Sequence, residues 1–336
     1  MKKLNKMRKI IIFAVIIILI FSIWYISNDF NKKEEYIQKK SLLNEEEKHA
    51  NLDNVKKTMD SGPYGHYISF TTSNDQKTWD IEKTAIQEHA SVPDAIILEH
   101  NIGNFRAGTI MAVFVDASVM ISQDEKSSKG QEKIGMMYSE DKGKTWSEIQ
   151  IINIEGSEGH VPVDPSIVQL DDGTLLLYYF DFNAMISKAD YDQYKIYVAE
   201  SQDGLAYNAI ELAYSQSEAL TDPDIIYYNN KWLLYFVDHQ YESISVAFGE
   251  TAYSFSEPQN TDIRGIPGTM IVDDMLYLYG CGLADGLEGI TSSRSSDGVK
   301  FSDTVVIENI IGCDPSPLHL EDGSFAMIFK GFMEIE

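Results

Sequence analysis

From about residue 64 onward, short apolar runs of strand length alternate with compact turn signals, and the alternation is periodic. One class of run opens on proline and aspartate. Its copies are Pro93-Asp94-Ala95-Ile96-Ile97, Asp164-Pro165-Ser166-Ile167-Val168, Asp222-Pro223-Asp224-Ile225-Ile226, Pro267-Gly268-Thr269-Met270-Ile271 and Asp314-Pro315-Ser316-Pro317-Leu318. Most are followed by a turn, such as Asp171-Asp172-Gly173 or Asn229-Asn230, and a second apolar run. Each copy therefore predicts a hairpin of two strands, with proline tolerated at the first position of a strand. A second class interleaves with it: a strand-forming run, then Ser139-Glu140-Asp141-Lys142-Gly143-Lys144-Thr145-Trp146 or a relative of it. The relatives begin at Ser73, Ser201 and Ser295, and a degraded copy spans Phe248 to Phe255. There Ser and Asp can bond turn amides, Gly supplies positive φ, and the aromatic residue packs on the sheet.

Five hairpins of each class make five four-stranded units, a period that predicts propeller blades. The chain starts with a second-class hairpin (67–80) and ends with a first-class one (315–332). The first hairpin must therefore complete the last blade, which closes the ring and protects its edges. The expected fold is all-β, a five-bladed β-propeller over residues 64–336, sealed by its own N- and C-terminal hairpins.

The stretch before it is different. Residues 1–9 carry five basic residues and no acid, and residues 10–27 are almost wholly apolar, ending near Trp24-Tyr25. Such a span is just long enough to cross a bilayer, with the basic flank in the cytoplasm. Neither a small-residue cleavage site nor a lipobox cysteine follows, so an uncleaved signal anchor is expected. Residues 28–63, rich in Lys, Glu and Asn, read as a charged stalk. The propeller is thereby expected outside the cytoplasm.

From Tyr64 on there are 15 basic and 44 acidic residues, a formal charge of −29. That excludes nucleic acid and anionic polysaccharide as natural partners and suits a neutral sugar, a cation or a cationic protein. The two cysteines, Cys281 and Cys313, fall on the same face of neighbouring blades, where either a disulfide or two buried thiols would fit.

The serine–aspartate turns resemble the Asp-box of bacterial sialidases and related propellers. A true sialidase also needs three arginines to clamp a carboxylate. Beyond the apolar segment the chain has Arg106, Arg264 and Arg294, and Arg294 adjoins an Asp-box. The Asp-Pro strand starts resemble the furanosidase-type glycosidases, that is, the five-bladed arabinanase, xylosidase and invertase families. Ser91-Val92-Pro93-Asp94 is similar to a recurring pattern in bacterial and archaeal propellers of unassigned function. The furanosidase resemblance implies a base or nucleophile in blade one, a pKa-tuning Asp in blade two and an acid in blade three, the two-carboxylate chemistry of glycoside hydrolysis. Carried over, these roles fall on Asp94, on Asp164, and on Asp224 or Glu218. In blade one Val92, not Asp, precedes the proline, and Thr221 stands where the resemblance places the acid.

Starts of first strands and ends of second strands meet around the axis. The residues expected to bind substrate there are Asp222, His160, His239, Arg264, Asp314 and Asp181, with Asp116, Asp238 and Lys330 nearby. Crowded carboxylates should raise one another's pKa values, and a hard cation such as Ca²⁺ suits their ligand type. Three functions are compatible with this pattern: a glycosidase acting on neutral glycan, a non-catalytic module that binds sugar or protein, and an envelope scaffold.

Overall fold

The computed structural model describes residues 62–80, 84–118, 132–186, 193–282, 289–307 and 310–333. The expected membrane anchor and nearly all of the stalk lie outside the described residues, among which no helix is long and apolar enough to cross a membrane.

The chain forms five antiparallel sheets arranged as blades. The first hairpin comprises β1 (His66–Ser73) and β2 (Thr84–Glu88). Blade one is β3 (Ala90–Ile97), β4 (Ile110–Asp116), β5 (Lys133–Ser139) and β6 (Gln150–Ile151). Blade two contains β7 (Asn153–Glu155), β8 (Pro162–Gln169), β9 (Leu175–Asp181), β10 (Tyr194–Ser201) and β11 (Ala206–Gln216). Its fifth strand, β7, was not expected and pairs in parallel with β11. Blade three is β12 (Leu220–Tyr228), β13 (Lys231–Asp238), β14 (Ser243–Gly249) and β15 (Gln259–Asn260). Blade four is β16 (Gly268–Val272), β17 (Met275–Gly282), β18 (Gly289–Ser295) and β19 (Ser302–Ile307). Blade five begins with β20 (Cys313–His319) and β21 (Phe325–Phe332) and is completed by β1 and β2. The β1–β21 register runs unbroken from His66↔Phe332 to Ser73↔Phe325, so the ring closes as the hairpin order requires.

The core is five apolar seams between neighbouring blades rather than one central mass. This explains why Leu175 to Phe180 is apolar without alternation. Leu175, Leu177 and Tyr179 pack toward blade one, and Leu176, Tyr178 and Phe180 toward blade three, all fully buried. A strand covered on both faces needs apolar residues at every position.

The Asp-box turns are built alike. In the second, the Gly143 amide donates to Ser139 Oγ at 2.8 Å, and the Thr145 amide donates to Asp141 Oδ1 at 2.9 Å. Gly143 has φ +84°, and a Cβ there would lie 2.2 Å from the Phe70 ring, so glycine is required both by backbone and by contact. The boxes at Ser73, Ser201 and Ser295 repeat the serine–aspartate bonding.

Candidate functional site: two rings of residues around the axis

Each first strand presents its free edge to the axis, and proline, which has no amide hydrogen to leave unpaired, sits on that edge in every blade. In four blades the register slips at the proline: between Ser91 and Asp94, Val163 and Ser166, Thr221 and Asp224, and Cys313 and Ser316. Two residues then oppose one, a β-bulge that re-aims the side chains beside it. The residue before the proline is left-handed each time: Val92 at φ +48°, Asp164 at +49°, Asp222 at +53° and Asp314 at +49°. Aspartate tolerates that conformation; β-branched Val92 is strained in it.

The bulge separates the axial residues into two rings. The residues after the prolines stitch blade to blade. Asp94 Oδ1 accepts from the Ala95 amide (2.8 Å) and from Ser316 Oγ of blade five (2.9 Å). Its Oδ2 accepts from Ser166 Oγ (2.9 Å) and the Ile167 amide (2.8 Å), both of blade two. Ser166 Oγ in turn accepts from the Ile225 amide of blade three, and Asp224 Oδ2 accepts from Thr269 Oγ1 of blade four at 2.5 Å. At Gly268 an added Cβ would meet the Pro315 carbonyl oxygen at 1.7 Å, so the last junction closes by direct backbone approach. Asp94, expected as the base, is thus bound to three blades through four hydrogen bonds.

The residues before the prolines gather charge. Lys330 Nζ lies 2.7 Å from Asp314 Oδ2, and both side chains are buried. The Asp222 amide approaches Asp164 Oδ2 at 3.4 Å. Burial and then the Asp222 charge push the Asp164 carboxyl well above its ordinary range. Asp222 is raised to about 6 by burial and then by Asp314. In the other ring Asp224 is raised to about 7 by burial and then by Asp94. Asp94 is itself raised by burial, although its four hydrogen bonds oppose the shift. The expected crowding of carboxylates is present, with desolvation rather than mutual repulsion as its largest cause.

Between the rings the channel is narrow. The prolines at 93, 165, 223, 267 and 315 line an axial cavity of about 10 Å³, room for a single water. Asp164 and Asp222 each keep part of their surface exposed, and Asp222 also lines this cavity.

The remaining expected residues lie further out. Asp181 Oδ1 accepts from the Val161 and Asn183 amides, and the equivalent Asp238 and Asp116 accept from Gln240 and Ser118. These three aspartates cap strand ends. His160 Nδ1 is 3.2 Å from the Tyr179 hydroxyl, with its ring 4.5 Å from that of Tyr197. His239 Nε2 meets Thr221 Oγ1 at 3.1 Å, beside Asp222. Glu218 and Arg264 are exposed at the entries to blades three and four. Arg294 binds Asp303 on the outer strands of blade four, away from the axis. Ser166, Ser316 and Thr269 were not expected as ring members. The repeated Asp-Pro-Ser of blades two and five was the available signal.

Cys281 and Cys313 form a disulfide across blades four and five, with Cα atoms 5.1 Å apart. Together with Asp314 they are the one group of metal-type ligand atoms close enough to share an ion among the described residues. Sulfurs bonded to each other are not thiolates and hold no metal. Among the described residues, the axial carboxylates do not bring three side-chain ligand atoms within 4.8 Å of one another.

At the sequence level no family model matches the chain, and no curated protein does either. Its fold is similar to that of several solved structures. One is the Hadza microbial sialidase Hz136 (TM-score 0.50, 15% identity, 79% of this chain). The chain spans 59% of that sialidase's length. Another is a family 117 glycoside hydrolase from the marine bacterium Zobellia galactanivorans (TM-score 0.51, 14% identity, 82% of this chain and 93% of the hydrolase). A third is the α-L-arabinanase of Penicillium chrysogenum, solved with arabinobiose (TM-score 0.51, 13% identity, 79% and 85%). At these identities the likeness is one of fold. The chain is a five-bladed β-propeller, similar in fold to a family 117 glycoside hydrolase and to an α-L-arabinanase.

Proposed function

We propose that the chain is a membrane-anchored, extracytoplasmic propeller whose axial face binds a neutral glycan without hydrolysing it. The observation that carries this reading is in blade one. Its left-handed position before the proline, aspartate in blades two, three and five, is Val92. The nearest carboxylate, Asp94, is turned between the blades with four hydrogen bonds already made. The two-carboxylate chemistry needs a base free to reach water or the sugar. The arabinobiose in the arabinanase structure supports a carbohydrate as the ligand class. The basic residues before the apolar stretch 10–27 support anchoring with the propeller outside.

A second reading, hydrolysis, is favoured by one specific observation: Asp164 and Asp222 lie side by side, and burial and then the Asp222 charge hold the Asp164 carboxyl well above its ordinary range. Asp164 would then be the acid and Asp222 the base, with Glu218 as an acid of longer reach. The test is to offer the full-length chain, in zwitterionic detergent, a panel of aryl furanosides and pyranosides. Arabino- and xylo-oligosaccharides are titrated calorimetrically alongside. Saturable binding without turnover is expected. Turnover abolished by Asp164→Asn and Asp222→Asn would replace this reading with the second. Neither binding nor turnover would leave the scaffold.

A further inference from the structure

A larger concavity lies away from the axis, where blades one and two meet. It measures about 420 Å³, within the range of small-ligand sites, whereas the axial cavity of about 10 Å³ has room for one water at most. Lys133 at the start of β5 forms one wall. Asn153 and Glu155 of β7, then Glu158 and His160 in the approach to β8, form the other.

This second wall is built, not draped. Strand β7 is held in parallel register against β11. Ser157 Oγ donates to the Ile154 carbonyl at 2.7 Å, and the His160 amide donates to Ser157 O at 2.9 Å. Asn183 Nδ2 donates to the Gly159 carbonyl at 2.7 Å, and Asp181 accepts the Val161 amide. His160, which lines the groove, is backed by Tyr197, and Tyr197 stacks on Tyr179 at 5.5 Å, which holds the imidazole in place.

Charge decides what the groove takes. An anion would meet Glu155 and Glu158, and a strongly cationic group would meet Lys133. The carboxylates and His160 do not bring three ligand atoms together, so a metal ion is not served either. Ammonium, amide and carboxylates along one groove supply both donors and acceptors, and a sugar hydroxyl is both at once. We propose that the groove between blades one and two is a subsite for a short neutral saccharide, additional to the axial face. The proposal rests on the glycan reading above.

Full-length protein in zwitterionic detergent is titrated with arabino- and xylo-oligosaccharides of two to four units. The wild type is compared with Asn153→Ala, Glu158→Gln, Lys133→Ala and, separately, Asp222→Asn. The groove variants are expected to weaken binding about tenfold each, in line with one lost polar contact, with melting temperature unchanged. Groove variants that bind as the wild type does, while Asp222→Asn weakens binding, would overturn the subsite and leave the glycan reading standing. A wild type that binds none of the sugars would overturn both.

Discussion

Aspartates do two opposite things in this molecule. In the Asp-box turns, Asp141 lies half-buried at the rim and is held by the Thr145 hydroxyl and amide and by Ser139, and its pKa falls to about 2. On the axis, Asp94 accepts an equally full set of hydrogen bonds, two from amides and two from hydroxyls, yet its pKa rises. The partners are of the same kind; the solvent is not. At the rim water already stabilises the charged form, and each hydrogen bond adds to it. At the axis the loss of water outweighs four good bonds. Hydrogen-bond number alone therefore does not tell a poised carboxylate from a structural one.

The largest expected effect comes from removing the axial partner. Asp94→Ala leaves donors from blades two and five without their acceptor and should cost roughly 3–5 kcal/mol, as breaking a buried charged network does. Chemical denaturation measures it. A loss no greater than that of Asp141→Ala would show that the ring does not hold the blades together.

The pH dependence sharpens the contrast. Asp222 and Asp224, at about 6 and about 7, bind protons more tightly folded than unfolded. Their carboxyls are protonated at no penalty below about pH 4, and stability falls as pH rises through 4 to 7. Asp224→Asn should flatten that decline by a few kcal/mol at most, read as melting temperature at pH 5 and pH 8. The rim aspartates run the other way. With its pKa lowered, Asp141 contributes stability that is complete above the unfolded value and lost as pH falls toward about 2. Asp141→Asn should give the smallest loss of the three variants, fully expressed at neutral pH and vanishing as pH falls toward about 2, so that the acid limb is blunted. An unaltered acid limb would sink the assignment.

Much of the architecture was legible because it rests on local pattern. Two interleaved hairpin signatures, each repeated five times, are enough to count blades and to require that the first hairpin pair with the last. The β1–β21 pairing follows from that order. The site was legible in composition but not in layering. Asp94 and Asp164 both adjoin a strand-initial proline, and the sequence reading placed them together around one pocket. A bulge at that proline puts the residue before it and the residue after it in different rings, a displacement that strand alternation does not reveal. The extra strand β7 escaped for a related reason, since three residues carry no readable period and gain their pairing only from β11.

The sequence by itself determined the fold class, the blade number, the mode of closure and the acidity of the axial face. These depend on hydrophobic period, turn chemistry and net charge, all of which are properties of short segments or of sums. Only the tertiary structure decided which aspartates hold the blades together and which face the mouth, and that Cys281 and Cys313 are joined. Those outcomes depend on the distance between atoms far apart in the chain and on how much water each carboxylate keeps. Both come into existence only when five blades meet.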